Sequence, residues 1–177
     1  MFAVIDCNNF FVSCEKVFNP ALEGRAVVVL SNNDGCVVSR SQEAKDMGVK
    51  MGMPAFQMEE QFGNRVQPFS SNYKLYGDMS RRVMAILQEL VPSMEIYSID
   101  ECFASFKGMD IRQIEEKAQE IVYKVRRFTG IPVCVGVPLQ KPLQRWPTGM
   151  QKSTRGITAI ALLIHRRSGR RRCSCWR

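Results

Sequence analysis

Two adjacent carboxylates, Asp100 and Glu101, lie within an apolar segment whose alternation is typical of a β-strand. A carboxylate that loses its water without gaining a partner costs several kcal/mol or takes up a proton. No lysine or arginine lies between Arg82 and Lys107. The segment therefore predicts a divalent cation such as Mg²⁺ beside this pair, since hard cations take carboxylate oxygens together with substrate phosphates. The alternative is a surface β-turn that carries two acids.

A third carboxylate, Asp6, ends a second apolar strand predicted from residues 2–5. Asp6 is an alternative N-cap for a helix predicted over residues 8–18, although Asn8 and Asn9 are better placed for that role. An acid at the end of one strand and an acid pair in another is the arrangement of a two-metal phosphoryl-transfer site. The three acids together therefore favour that chemistry.

The element order predicts the fold. Apolar strands, amphipathic helices and turn residues follow one another as β–(insert)–α–β–β–α–β, with the insert over about residues 11–74. This order is that of an α+β protein with a ferredoxin-like sheet and helices on one face. The insert itself predicts a small α/β unit.

Six segments in order resemble the Y-family translesion DNA polymerases, in particular those of the UmuC type. They are Asp6 with the aromatic pair that follows it, and residues 31–40 (SNNDGCVVSR), 43–45 (EAK), 48–52 (GVKMG), 69–73 (FSSNY) and 97–101 (YSIDE). The resemblance covers residues 1 to about 137. It implies a palm (1–10 and 75–137) and fingers (11–74), while the thumb and little finger of such a polymerase need a much longer chain.

The resemblance also implies which residues act. Two Mg²⁺ ions are expected on Asp6, Asp100 and Glu101, with the main-chain carbonyl of Cys7 as a further ligand. Phe11 matches the aromatic steric gate against a ribose 2′-hydroxyl, with ordinary core packing as its alternative. The remaining nucleotide contacts are expected from Phe10 beside the incoming nucleotide and from Ser39, Gln42 and Lys45 at the triphosphate.

Residues 138–177 differ in composition from the rest of the chain. Residues 1–137 hold 15 basic and all 17 acidic residues, a net charge of −2, whereas residues 138–177 hold 10 basic residues and no acid. The chain's formal charge of +8 therefore belongs to this basic tail. Three early prolines and uncompensated charge predict an irregular tail that does not dock as a domain. Within the tail, residues 157–165 have a sequence that is compatible with a local helix.

The tail is best explained as an out-of-frame translation. With suitable codons, insertion of one G after the Val137 codon converts the following residues into Ala-Pro-Thr-Lys-Thr-Leu-Ala-Lys, which is the family's continuation. The second lysine of that segment contacts the triphosphate in the family, and Arg145 stands in its register here. The arginine runs are then by-products of the frame, and we expect little or no activity from the 177-residue chain.

The cysteine spacing and the hydropathy of the chain restrict its expected cellular compartment. Seven cysteines show no CxxC spacing, which predicts a reduced, cytoplasmic protein without structural zinc. No apolar run reaches the roughly 18 residues of a membrane span, and no signal peptide opens the chain.

Three functions compete. The first is translesion nucleotidyl transfer, with primer–template DNA and deoxynucleoside triphosphates as partners; the resemblance adds an accessory subunit, a recombinase filament and a sliding clamp for a full-length protein. The second is an inactive fragment that binds nucleic acid weakly through its basic tail. The third, a nucleotide cyclase, shares the carboxylates but is disfavoured by the fingers segment 31–52.

Overall fold

The computed structural model describes residues 2–138 and 159–161. Short 3₁₀ turns occur at Pro20–Leu22 and Gly63–Arg65. The helices and strands, in chain order, are β1 (Phe2–Cys7), α1 (Phe10–Phe18), β2 (Val27–Leu30), β3 (Val37–Arg40), α2 (Gln42–Asp46), α3 (Ala55–Phe62), β4 (Gln67–Phe69), α4 (Tyr73–Leu90), β5 (Ser93–Ile96), β6 (Glu101–Ser105), α5 (Ile111–Thr129), β7 (Val133–Pro138) and β8 (Ala159–Ala161).

The larger sheet has the strand order β5-β6-β1-β7-β8, and each neighbouring pair is antiparallel. Helix α4 precedes β5, and helix α5 connects β6 to β7. Without β8, this is the order and connection of a ferredoxin-like sheet, so the predicted α+β fold is confirmed. One face of β1 is buried in the core through Ala3, Ile5 and Cys7.

Helix α5 has the start and stop signals that its sequence predicts. Asp110 and Gln113 form a reciprocal capping box, and Gly130 ends the helix in a left-handed conformation. Its buried face includes Ile114, Ala118, Ile121 and Val125. Ile111 has the same spacing but is 56% exposed, because it occupies the first helical position beyond the edge of the core.

The smaller sheet has the order β3-β2-β4, with β3 antiparallel and β4 parallel to β2. Strand β2 is buried on both faces. Val27 and Val29 pack into the core of the larger sheet, whereas Val28 and Leu30 pack into a second cluster with residues of the predicted fingers. Alternate side chains of one strand point to opposite faces, so β2 joins the two cores. The exact palm and fingers boundaries stay a prediction.

Three residues of the basic tail differ from their expectation. Ala159–Ala161 form strand β8 on the edge of β7, where the sequence predicts an irregular tail compatible with a local helix. An edge strand presents unpaired backbone groups that a short segment can bond, and this tertiary pairing outweighs helix propensity. The other tail residues from 139 onward lie outside the described residues. Among the described helices, none is long and apolar enough to cross a membrane.

Gly130 ends α5 and lies against α1, and its replacement by alanine is expected to destabilise the fold. Its φ is +75°, and an added β-carbon would lie 2.8 Å from Cγ2 of Val17. Gly24 has a similar φ of +73° but nothing within 4 Å, so Gly24→Ala carries the backbone strain without the clash. We expect Gly130→Ala to lose about 1–3 kcal/mol more unfolding free energy than Gly24→Ala in urea titrations. Equal losses of unfolding free energy in the two variants would show that α1 moves away from the added methyl group.

Candidate active site

The backbone brings the three predicted carboxylate residues to one end of the larger sheet. Asp6 is the Cα partner of Glu101 across the β1–β6 pair. The amide of Cys7 donates to the main-chain carbonyl of Asp100 at 2.9 Å, so Asp100 lies next to the end of β1. Directly opposed residues of an antiparallel pair share a face, with β-carbons about 4.5–5.5 Å apart. Asp6 and Glu101 therefore lie side by side on one face.

That face is opposite to the helix-covered core. Along β1 the buried residues alternate with Val4 and Asp6, which are half-buried. Along β6, Glu101 and Phe103 alternate in the same way with buried Cys102 and Ala104. We call this the open face of the larger sheet. A polar ligand can approach the carboxylates there without entering the core.

The pKa of the buried Cys7 thiol is affected by the negative charge at this end of the sheet. Burial raises the pKa of Cys7 well above its usual value, and the nearby charges of Asp6 and Asp100 raise that pKa further. Cys7 is 3% exposed and has a neutral thiol at physiological pH. Its side chain is therefore a core group, and the ligand role of its main-chain carbonyl stays a prediction.

Asp100 lies within the turn between β5 and β6, and this differs from the predicted buried strand. Strand β5 ends at Ile96 and β6 begins at Glu101, so residues 97–100 connect the two. Ile96 and Tyr97 are 59% and 58% exposed, because β5 is the edge strand of the sheet. Asp100 thus lies in a turn but is half-buried, and Glu101 begins β6, so the pair fits neither the predicted buried strand nor a surface turn carrying both acids.

The carboxylates are neighbours in the backbone, but their side chains do not form a closed ligand set. Within residues 2–138 and 159–161, no three His, Cys, Asp or Glu side chains are grouped closely enough to hold a metal ion. Three like charges repel one another, and Oδ1 of Asp100 accepts a hydrogen bond from Oγ of Ser98 at 2.7 Å. The donors are hard oxygens, which suit Mg²⁺. Convergence of the three carboxylates on Mg²⁺ stays a prediction.

The aromatic pair after Asp6 divides between core and surface. Phe10 is 3% exposed and belongs to the core cluster, so its side chain gives no support to the predicted contact with a nucleotide. Phe11 is half-buried at the margin of that cluster. Its ring stacks on Tyr76, with centroids 4.6 Å apart and planes 21° apart, and meets Tyr73 edge-on. The packing alternative for Phe11 is therefore present in part, and its role as a steric gate stays a prediction.

Tyr76 is an aromatic support that sequence reasoning missed. It is fully buried in α4, and its hydroxyl donates to Oε1 of Glu15 on α1 at 2.8 Å. Burial raises the pKa of the Tyr76 hydroxyl well above its usual value, and the neighbouring Glu15 contributes to that rise. The hydroxyl therefore stays a neutral donor. No motif in the sequence marks Tyr76 as a partner of Phe11.

The predicted triphosphate residues lie in the second cluster's elements. Ser39 on β3 is 6% exposed, so its side chain is poorly placed to meet a soluble ligand. Gln42 donates to Asp46 within α2 at 2.8 Å. Lys45 is half-buried on the same helix, and α2 is tied to α1 by the Lys16–Glu43 ion pair at 3.2 Å. Of the predicted triphosphate residues, only Lys45 carries a positive charge, and its phosphate contact stays a prediction.

Residues 5–143 match the sequence model of the impB/mucB/samB family. Protein SamB of Salmonella typhimurium is 46% identical over 173 residues, which cover 95% of this chain and 41% of SamB. Protein UmuC of the same species is 44% identical over 177 residues, covering 94% of this chain and 41% of UmuC. The chain thus spans about two fifths of the length of these relatives. Both alignments continue past Val137, and the out-of-frame interpretation of the tail stays a prediction.

Solved structures agree with the sequence relatives. A Dbh ternary complex superimposes with a TM-score of 0.73 at 28% identity, over 80% of this chain and 42% of that one. A Y-family DNA polymerase chimera of Dbh and Dpo4 gives a TM-score of 0.73 at 27% identity, over 80% and 43%. The shared fold, the paired acids at the end of β1 and β6, and the match over residues 5–143 have one explanation: the chain is a UmuC-type member of the impB/mucB/samB family, with the fold of the Y-family DNA polymerases.

Proposed function

We propose that this chain supplies the palm and fingers of a translesion DNA polymerase, which adds a deoxynucleotide to a primer 3′ end during DNA damage tolerance. The observation that supports this most is the cross-strand pairing of Asp6 with Glu101, next to Asp100. Nucleotidyl transfer needs carboxylates at one accessible point of a rigid sheet, and the open face of the larger sheet meets that need. Relatives named DNA polymerase IV are 31–33% identical to this chain.

The chain's own residues would hold and orient the reactants. Asp6, Asp100 and Glu101, with the carbonyl of Cys7, would bind two Mg²⁺ ions. When bound, such ions activate the attacking oxygen and offset the charge that develops on the phosphoryl group. Strands β1 and β6 and the turn between β5 and β6 bear these residues, so the positions of their backbones are set by folding rather than by substrate.

Lys45 would bind the triphosphate from the fingers side, with Ser39 and Phe10 in supporting positions. A half-buried lysine loses less side-chain freedom on binding a phosphate than a fully exposed one does. Ser39 and Phe10 are buried, so they would act through the main chain or through packing.

Phe11 would be the steric gate that rejects ribonucleotides. Its ring is held from behind by Tyr76, whose hydroxyl is fixed by Glu15, so the ring cannot easily move away from a ribose 2′-hydroxyl. We expect Phe11→Ala to raise ribonucleotide incorporation relative to deoxyribonucleotide incorporation by about 10-fold or more. The readout is single-nucleotide insertion by a frame-restored polymerase.

The control for that experiment is Phe18→Ala on the same helix, since Phe18 is 64% exposed at its far end. It should leave the sugar ratio unchanged. A Phe11→Ala enzyme that keeps the parental ratio would assign Phe11 to packing alone.

The partners follow from the same proposal. Primer–template DNA and deoxynucleoside triphosphates are the substrates, and an accessory subunit, a recombinase filament and a sliding clamp are partners proposed for the full-length protein. A cytoplasmic location is proposed with them, in keeping with the free cysteines of the described chain.

Primer extension tests the proposal. Both the 177-residue chain and a chain with the reading frame restored after Val137 would be purified and given a primed template, Mg²⁺ and deoxynucleotides. We expect extension from the restored chain and little or none from the shorter one. If neither extends the primer, and DNA binding by the 177-residue chain is weak and steeply salt-dependent, the alternative of an inactive basic-tailed fragment is correct.

A further inference from the structure

Ser98 lies in the turn before Asp100 and makes three hydrogen bonds around the acidic pair. Its hydroxyl donates to Oδ1 of Asp100 at 2.7 Å. The same oxygen accepts from the amides of Asp100 at 3.3 Å and Glu101 at 3.1 Å. One short side chain therefore contacts both acidic residues, and it contacts the carboxylate of one of them directly.

Further hydrogen bonds hold the backbone of the rest of this turn in place. Ser80 of α4, which is 9% exposed, donates its hydroxyl to the carbonyl of Ile99 at 2.6 Å. The carbonyl of Asp100 accepts from the amide of Cys7, and the carbonyl of Glu101 accepts from the amides of Tyr97 and Ser98. The turn is thus anchored to the helix on one side and to β1 on the other. Within this anchored backbone, the carboxylate of Asp100 can still rotate about its side-chain bonds.

We propose that Ser98 is a positioning residue for the Asp100 carboxylate. By holding Oδ1, it would select one rotamer of Asp100 and would leave Oδ2 and a second lone pair of Oδ1 available to a cation. This inference rests on the proposed function, because it assigns Ser98 to the same cation site.

The physical reason is preorganisation. A ligand residue that is already held in its binding rotamer loses less conformational freedom when the cation binds. Groups that orient a metal ligand typically change metal affinity by about 10- to 100-fold when they are removed. The Ser98 hydroxyl is half-buried, so water can replace its hydrogen bond only in part.

The test is Mn²⁺ binding to the purified 177-residue chain, measured by electron paramagnetic resonance, without DNA or nucleotide. Ser98→Ala is expected to weaken Mn²⁺ binding about 10-fold or more. Ser98→Thr keeps the hydroxyl and should bind within about 3-fold of the parent. The matched control is Ser93→Ala on the same hairpin, at an exposed position of β5, which should bind like the parent. Melting temperatures of all variants are recorded, so that partial unfolding is recognised.

The outcomes separate the inference from the function on which it rests. If Asp100→Asn loses Mn²⁺ affinity while Ser98→Ala keeps or gains it, the positioning role is wrong and the cation site stands. If Ser98→Thr loses as much Mn²⁺ affinity as Ser98→Ala while its melting temperature is unchanged, the hydroxyl does not position Asp100. The inference is then also wrong. If the parent and every variant fail to bind Mn²⁺, the proposed cation site fails, and the role of Ser98 fails with it.

Discussion

Replacing Asp100 with asparagine, in a chain with its frame restored after Val137, is expected to lower primer extension by about three orders of magnitude or more. The substitution removes one negative charge from the point where Asp6 and Glu101 pair across the sheet. An asparagine amide oxygen still accepts the hydrogen bond from Ser98, so the turn and the fold should survive. The measurement is the single-turnover rate of one-nucleotide extension with Mg²⁺.

Glu95→Gln is the matched control, because Glu95 is an exposed acid on β5 of the same hairpin. It should change the rate by less than about threefold, since a solvated charge outside the site contributes little. An Asp100→Asn chain that extends primers at the parental rate would remove Asp100 from the chemistry. Robust extension by the 177-residue chain itself, abolished by the same substitution, would instead overturn the interpretation of residues 138–177.

Replacing Phe106 with alanine is expected to destabilise the fold by about 3–5 kcal/mol. Phe106 follows β6 directly, is fully buried, and is among the largest completely buried side chains of the described residues. Its removal leaves a cavity in the core that holds β1 and β6 in register, which the neighbouring side chains can fill only in part. Urea unfolding followed by the helical circular dichroism signal would measure the loss.

Phe56→Ala provides the comparison, since Phe56 on α3 is 74% exposed. Its removal should change the unfolding free energy by no more than about 0.5 kcal/mol. Equal losses from the two substitutions would mean that the burial of Phe106 does not describe the protein in solution. A Phe106→Ala variant that loses unfolding free energy could still bind Mn²⁺ like the parent at urea concentrations below its unfolding transition. That result would show that the site tolerates a weakened core.

Local patterns were sufficient for most elements of residues 2–138 and for the pairing of Asp6 with Glu101, although not for the turn at Asp100. The capping box of Asp110 and Gln113 and the left-handed Gly130 depend on neighbours in sequence, and both were predictable. An acid that ends β1 and an acid that begins β6 must meet once the two strands pair antiparallel with the core face in register. For the same reason, the ferredoxin-like order followed from the order of the elements.

Exposure at the edges of the fold was not predictable in this way. Ile96, Tyr97 and Ile111 have the apolar character and spacing of core residues, yet each is more than half exposed. Whether an apolar face is covered depends on which strand lies at the edge of the sheet and where a helix extends past it. Those are properties of the assembled layers, not of the segment.

The details of the site were decided by tertiary structure alone. Phe10 and Phe11 are identical and adjacent, but α1 turns one into the core and rests the other on Tyr76, a residue 65 positions away. Ser98 belongs to a predicted strand by sequence, and only the folded turn brings its hydroxyl to Asp100. The sequence by itself determined most of the helices and strands, the family, and which acids lie together. These properties depend on local pattern. Side-chain orientation and packing depended on contacts between distant segments, which only the folded chain specifies.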